Sequence, residues 1–97
     1  MAAYINLMKL TDQGVKSIKE APQRAEEGIK AFEKMGGKML GFYVVTGEYD
    51  YVAIGEAPND AVATTFSMAL SARGNVRTTT VRAYTREEFA EMVKKLP

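Results

Sequence analysis

The chain has 97 residues, no cysteine and no histidine, and 13 basic against 12 acidic side chains for a net charge of +1. That length suits one domain over residues 1–97, with a core able to hold without covalent staples. The absent thiols and imidazoles exclude disulfides, Cys or His metal ligation and histidine base chemistry, so no metal and no cofactor is implied. Balanced charge with no run of one sign argues against a nucleic-acid or membrane-surface partner.

Met1-Ala2-Ala3-Tyr4 lacks the basic and apolar regions of a signal peptide, and no apolar stretch approaches the ~20 residues that cross a bilayer. A cytoplasmic location is the expectation. Tyr4 to Leu10 alternates and reads as the first strand, and Thr11-Asp12 can cap the helical stretch that follows. Gly14 and Pro22 interrupt that stretch. Proline lacks an N–H and clashes one turn back, which predicts two short helices or one kinked helix. Ala25, Ile29 and Phe32 keep helical spacing until Gly36-Gly37 ends it.

Met39 to Thr46 and Tyr49 to Glu56 read as two strands, joined by a tight hairpin connection at Thr46-Gly47-Glu48. Pro58-Asn59-Asp60 opens a second helix, with Val62, Phe66, Ala69, Leu70 and Arg73 on one stripe. Gly74-Asn75 closes it. Val76 to Tyr84 is the fourth strand, and Thr85-Arg86-Glu87-Glu88 forms a capping box for a last helix with Phe89, Met92, Val93 and Leu96 on its apolar side. The order β-α-β-β-α-β plus a terminal helix predicts an α+β, ferredoxin-like sandwich with an antiparallel four-stranded sheet in the order 4-1-3-2.

Alternation sorts the strand residues onto two faces. Ile5, Leu7, Leu40, Phe42, Val44, Val52, Ile54, Val81 and Ala83 form the set expected beneath the helices. Tyr4, Asn6, Met8, Met39, Tyr43, Val45, Tyr49, Tyr51, Ala53, Thr78, Thr80 and Arg82 fall to the open face, with a single charge among them. Monomers seldom leave so large an uncharged patch uncovered. A second copy of the chain is the expected cover, with Tyr4, Met8, Tyr43, Tyr49 and Tyr51 in a homo-oligomer interface, as a dimer or a higher ring.

RNA-recognition motifs share this element order and stack bases on aromatics from strands one and three. Tyr49 and Tyr51 echo that spacing. The echo fails where charge matters, because Gly47-Glu48 stands where a basic residue and a glycine are expected, and Asp50 where a glycine or alanine is.

Asn6, Tyr51, Thr80 and Arg82 are the candidate ligand-binding residues. An amide and a phenol can orient an oxygenated small molecule, and a guanidinium can hold a carboxylate by two parallel bonds. Satisfied polar groups in a dimer interface account for the same residues. Asp50, just after the hairpin, reads better as a carboxylate accepting backbone N–H bonds than as a base. Arg73 and Arg77 flank a helix C-terminus, where cations are favoured for stability alone. No phosphate-loop spacing occurs among the glycines.

Gly47-Glu48-Tyr49-Asp50 followed by Tyr51 to Pro58 resembles the signature region of the GYD-domain family. The likeness extends through Thr11 to Lys16, Pro22-Gln23-Arg24 and Gly74 to Thr85, with Glu48 an addition to the name-giving triplet. The resemblance implies a small protein of the dimeric α+β barrel group, which includes cofactor-free monooxygenases, isomerases, haem enzymes and ligand-sensing domains. Fold alone does not choose among these. The leading expectation is a homo-oligomer that binds or senses a small molecule or serves as an assembly module. The alternative is a cofactor-independent enzyme acting on a small aromatic or oxygenated metabolite.

Overall fold

A computed structural model describes all residues 1–97. Its elements are β1 (Ala2–Leu10), α1 (Asp12–Lys16), a 3-10 turn (Ile18–Glu20), α2 (Ala21–Lys34), β2 (Lys38–Val44), β3 (Tyr51–Ala57), α3 (Asp60–Ala72), β4 (Val76–Ala83) and α4 (Arg86–Lys94). The sheet runs β2-β3-β1-β4 with every neighbouring pair antiparallel, the ferredoxin-like α+β arrangement. No helix is long and apolar enough to cross a membrane.

Local chemistry sets most boundaries. Thr11 caps α1 by accepting from the Gly14 N–H at 3.1 Å, and Asn59 caps α3 by accepting from the Val62 N–H at 2.9 Å. Pro22 sits in the first turn of α2, where a missing N–H is harmless, so the helix begins there instead of kinking. Between β2 and β3 the connection is longer than a tight hairpin. The strands stop at Val44 and Tyr51, and the Val45 N–H donating to the Asp50 carbonyl at 2.9 Å closes a wider loop with Gly47 at φ 105°. The Asp50 carboxylate accepts from the Leu10 N–H at 2.8 Å, tying that loop to the end of β1.

The helices cover the opposite face from the one the aliphatic pattern selects. Tyr4, Asn6, Met8, Ala53 and Ala57 are buried beneath α2 and α3, whereas Leu40, Tyr43 and Val81 are exposed on the other side. Two causes account for the reversal. Small residues let the helices sit close, with Ala57 and Ala63 packed around Tyr4 and Phe32, and Phe32 against Phe66 at 4.8 Å between ring centroids. Gly55 leaves room for the Phe32 ring, which a Cβ there would meet at 3.0 Å. The burial is helped by polar partners, since the Tyr4 hydroxyl donates to Asp60 and the Asn6 amide oxygen accepts from Thr80 at 3.3 Å.

Strand β2 also breaks parity. Met39 pairs with Gly55 and Gly41 with Ile54, leaving Leu40 as an extra residue in a bulge. Met39 and Phe42 consequently share the inner face, while Leu40 and Tyr43 point outward. Of the residues expected at an open-face interface, Tyr4, Met8 and Tyr51 lie on the helix side, and Tyr49 lies in the β2–β3 connection with the Lys9 ammonium 5.4 Å from its ring centroid. Tyr43 alone stands on the open face.

Helix α1 is locked to the start of β4. The Thr11 N–H donates to the Asn75 carbonyl at 3.1 Å, and the Gln13 amide donates to the Arg73 carbonyl at 2.9 Å and to Asn75 Oδ1 at 3.0 Å. Gly14 is buried in this contact, and a Cβ there would collide with the Asn75 carbonyl oxygen. Gly14→Ala should therefore destabilise the fold by about 2 kcal/mol or more, read as a lower urea midpoint with an unchanged slope.

Candidate functional site: an inner cavity and an open sheet face

The inner face is not filled along its whole length. At the Tyr4 end it is packed, but between the other half of the sheet and helices α2 and α3 lies a cavity of about 90 Å³, several times the room one water needs. Met8, Ile29, Phe42, Phe66 and Leu70 make most of its wall apolar. Phe42 and Tyr51 stack at 5.4 Å between centroids. On α2 the lining positions include Ala21, Ala25 and Gly28, spaced so that one helical stripe faces the sheet with almost no side chain. The cavity is open because that stripe is small.

Its polar lining is sparse. Asn6 is only 8% exposed, and its amide oxygen is taken by Thr80 while its amide nitrogen makes no hydrogen bond within the protein. No fully enclosed side-chain nitrogen or oxygen lacks a partner, so that nitrogen reaches the open space of the cavity. Arg24 and Arg73 also contribute to the lining. Arg24 is fixed, donating to the Ser17 carbonyl at 3.0 Å and its hydroxyl at 3.1 Å, with Glu20 at 3.7 Å. Arg73 forms no ion pair.

The four residues singled out from sequence do share a face, but it is the inner one, and they do not all converge. Asn6 and Thr80 are bonded, and Thr80 also pairs with Ser67 of α3 at 2.6 Å. Tyr51 lines the cavity one diagonal step away. Arg82 lies at the far end of β1, its guanidinium 4.4 Å from the Tyr84 ring centroid and 5.7 Å from that of Tyr4, donating to the Ala3 and Ala83 carbonyls. Sequence reasoning missed Arg24 and Arg73 as a pair because they sit on different helices. The signal available was the small-residue spacing of α2.

Tyr4 and Asp60 form a polar pair at the packed end. Donation to Asp60 raises the phenol above its ordinary value of 10.0, burial and the Asp60 charge add to this, and Arg82 opposes it. A phenol held protonated in the folded state contributes stability that is intact below pH 10 and lost as pH rises through the folded value.

The second feature is the face that no helix covers. Ile5 and Leu7 of β1 stand beside Ile54 and Val52 of β3 and Val81 of β4, with Leu40 and Tyr43 on the edge strand. Lys9, Arg77, Lys38 and Glu56 occupy the ends of the same face. The tyrosines of β1 and β3 being beneath the helices, this surface offers aliphatic groups where a base-stacking protein would offer aromatics. Helix α4 is likewise unpartnered. All its residues are exposed, Phe89 and Val93 at 63% and 46%, although the Thr85–Glu88 capping box is formed at 2.8 and 3.0 Å. The Thr85 N–H lowers the Glu88 pKa below its ordinary value, with Arg82 adding to the effect.

The chain is thus a ferredoxin-like sandwich with an apolar cavity inside and a bare aliphatic face outside. The GYD domain family model matches residues 4–93, and this chain belongs to that family. A relative from Thermus thermophilus is 33% identical over 84 residues, covering 86% of this chain and 88% of the relative. It is described as a glutamine synthetase and cystathionine beta-lyase binding protein.

Two outcomes follow from the inner face. Gly28→Ala adds a Cβ that meets only Leu70 Cδ2 at 3.8 Å, so it should raise stability by about 1 kcal/mol in urea unfolding. Tyr4→Phe should lessen the loss of stability as pH rises above 10, measured by unfolding across alkaline pH.

Proposed function

We propose that this chain is a non-catalytic protein-binding module that works as a homo-oligomer, associating through its open aliphatic sheet face in the manner of a dimeric α+β barrel. The observation that carries this reading is the placement of Ile5, Leu7, Val52, Ile54 and Val81 together on a face no helix covers. Burying an aliphatic side chain of this size is worth about 1.5–3 kcal/mol, so leaving a contiguous set in water is unfavourable.

A second copy suits the face. Two sheets packed about 10 Å apart interdigitate side chains of this kind, and a two-fold axis matches the patch to itself. The rim carries both signs of charge, Lys9, Lys38 and Arg77 with Glu56, so that opposite charges can meet across a two-fold axis. A four-stranded sheet face supplies on the order of 400 Å² before side-chain relief, against about 800 Å² per partner in a stable complex. The exposed stripe of α4, with Phe89, Met92 and Val93, is further apolar surface able to make up the difference.

The likeness to a protein described as binding glutamine synthetase and cystathionine beta-lyase supports other proteins as further partners. The cofactor-independent enzyme reading has less support. Of its three polar groups, Asn6 and Tyr51 meet at the cavity while Arg82 is engaged with Tyr84 and backbone carbonyls at the other end of the strand.

Sedimentation velocity tests the association. The wild-type chain is expected to sediment above the 10.7 kDa of one copy, and Ile54→Asp to shift it to monomer by placing a charge at the patch centre. A wild-type monomer at micromolar concentration sinks the reading.

A further inference from the structure

The cavity has a feature that a packing defect lacks. A void left by small side chains is ordinarily dry and apolar throughout. Here a side chain more than nine-tenths buried, Asn6, presents an unpartnered amide N–H₂ to the space, and the Tyr51 hydroxyl beside it also makes no hydrogen bond within the protein. Neither donor is enclosed by protein atoms, so each is free to bond an acceptor that enters the space. Two arginines also contribute to the wall, and only Arg24 has a carboxylate near it. Arg73, exposed to solvent at the end of α3, forms no ion pair within the protein.

We infer that this cavity is a binding site for a small carboxylate with an apolar body and a second oxygen. The body would lie against Met8, Ile29, Phe42 and Leu70. Arg73, with Arg24 held in place by Ser17, takes the carboxylate. The Asn6 amide and the Tyr51 hydroxyl take the second oxygen, and Thr80 fixes the orientation of Asn6 by occupying its amide oxygen. Ala21, Ala25 and Gly28 are the residues that keep the site open, since a leucine at any of them would fill it. The helix pays for this with a glycine in its interior, where alanine would be more stable. This inference concerns the inner face of the sheet and holds whether or not the outer face associates.

The test uses the full chain and three probes, 4-hydroxybenzoate, benzoate and 4-hydroxybenzyl alcohol, by isothermal titration and by amide chemical-shift mapping. The acid bearing both oxygens is expected to bind, shifting the Asn6 side-chain amide together with Ala53 and Gly28. Removing either its charge or its hydroxyl should weaken binding about tenfold, as loss of a hydrogen bond to a buried or charged group does. Arg73→Gln should weaken the two acids by about the same factor while leaving the alcohol unchanged. Ala25→Leu, which only adds apolar volume, should keep the fold by circular dichroism and abolish binding of all three. The inference is overturned if no probe binds at millimolar concentration, or if the alcohol binds as well as 4-hydroxybenzoate. It is also overturned if the shifts fall outside the cavity, or if Ala25→Leu folds and binds normally.

Discussion

Strand β1 is hydrogen-bonded along both edges, to β3 on one side and β4 on the other, so it cannot slide or rotate without breaking two ladders. Each of its side chains is thereby committed to one face, Tyr4, Asn6 and Met8 to one and Ile5 and Leu7 to the other. The two helices that cross the sheet reach one face only. Both faces are apolar, and that mismatch between one layer of helices and two surfaces in need of cover organises the rest of the molecule.

The inner face solves its half of the problem unevenly. Near Tyr4 the aromatic and small residues interlock, and each polar atom that is taken inside finds a partner in Asp60 or Thr80. Toward Met8 the same helices diverge into space because α2 presents alanine and glycine, and there the polar inventory is incomplete. Arg24 is anchored while Arg73 is not, and Asn6 is bonded at one end of its amide only. The contrast within a single face is what separates a site from loose packing, since a sequence tolerant of voids would have no reason to place its unpaired donors beside this cavity.

What the sequence disclosed follows the range of the forces involved. The element order, the break before Pro22, the Asn59 cap and the Thr85–Glu88 box were legible because each depends on atoms within one turn of backbone. The strand order followed from connectivity. The two residue sets were legible too, apart from β2, where the bulge at Leu40 shifts the pattern without a proline or charge to mark it. Which set faces the helices was not legible from alternation, which is symmetric between faces. Choosing the more aliphatic set as the core assumes that a chain buries its greasiest surface within itself. The choice was instead made by long-range fits, Phe32 over Gly55 and α3 over Ala57, that no local pattern encodes. The cavity was hidden for the same reason, as its arginines come from separate helices and its floor from β1 and β3.

The reversal bears on how an exposed aliphatic face should be weighed. Tyrosine and asparagine tolerate an aqueous surface, because each carries a group that water satisfies, so a tyrosine-rich open face would be only moderate grounds for association. Isoleucine, leucine and valine carry no such group. In this fold the amphipathic set is the one placed inside, where Tyr4 and Asn6 need specific partners to be tolerated, and the set with nothing to gain from water is placed outside. An isolated domain selected for its own stability would have the opposite arrangement, since exchanging the two faces would bury more hydrocarbon and release two polar side chains to solvent. The orientation fits the proposed association of the outer face, since a second aliphatic sheet asks for no charge, aromatic or polar group that this face does not already possess.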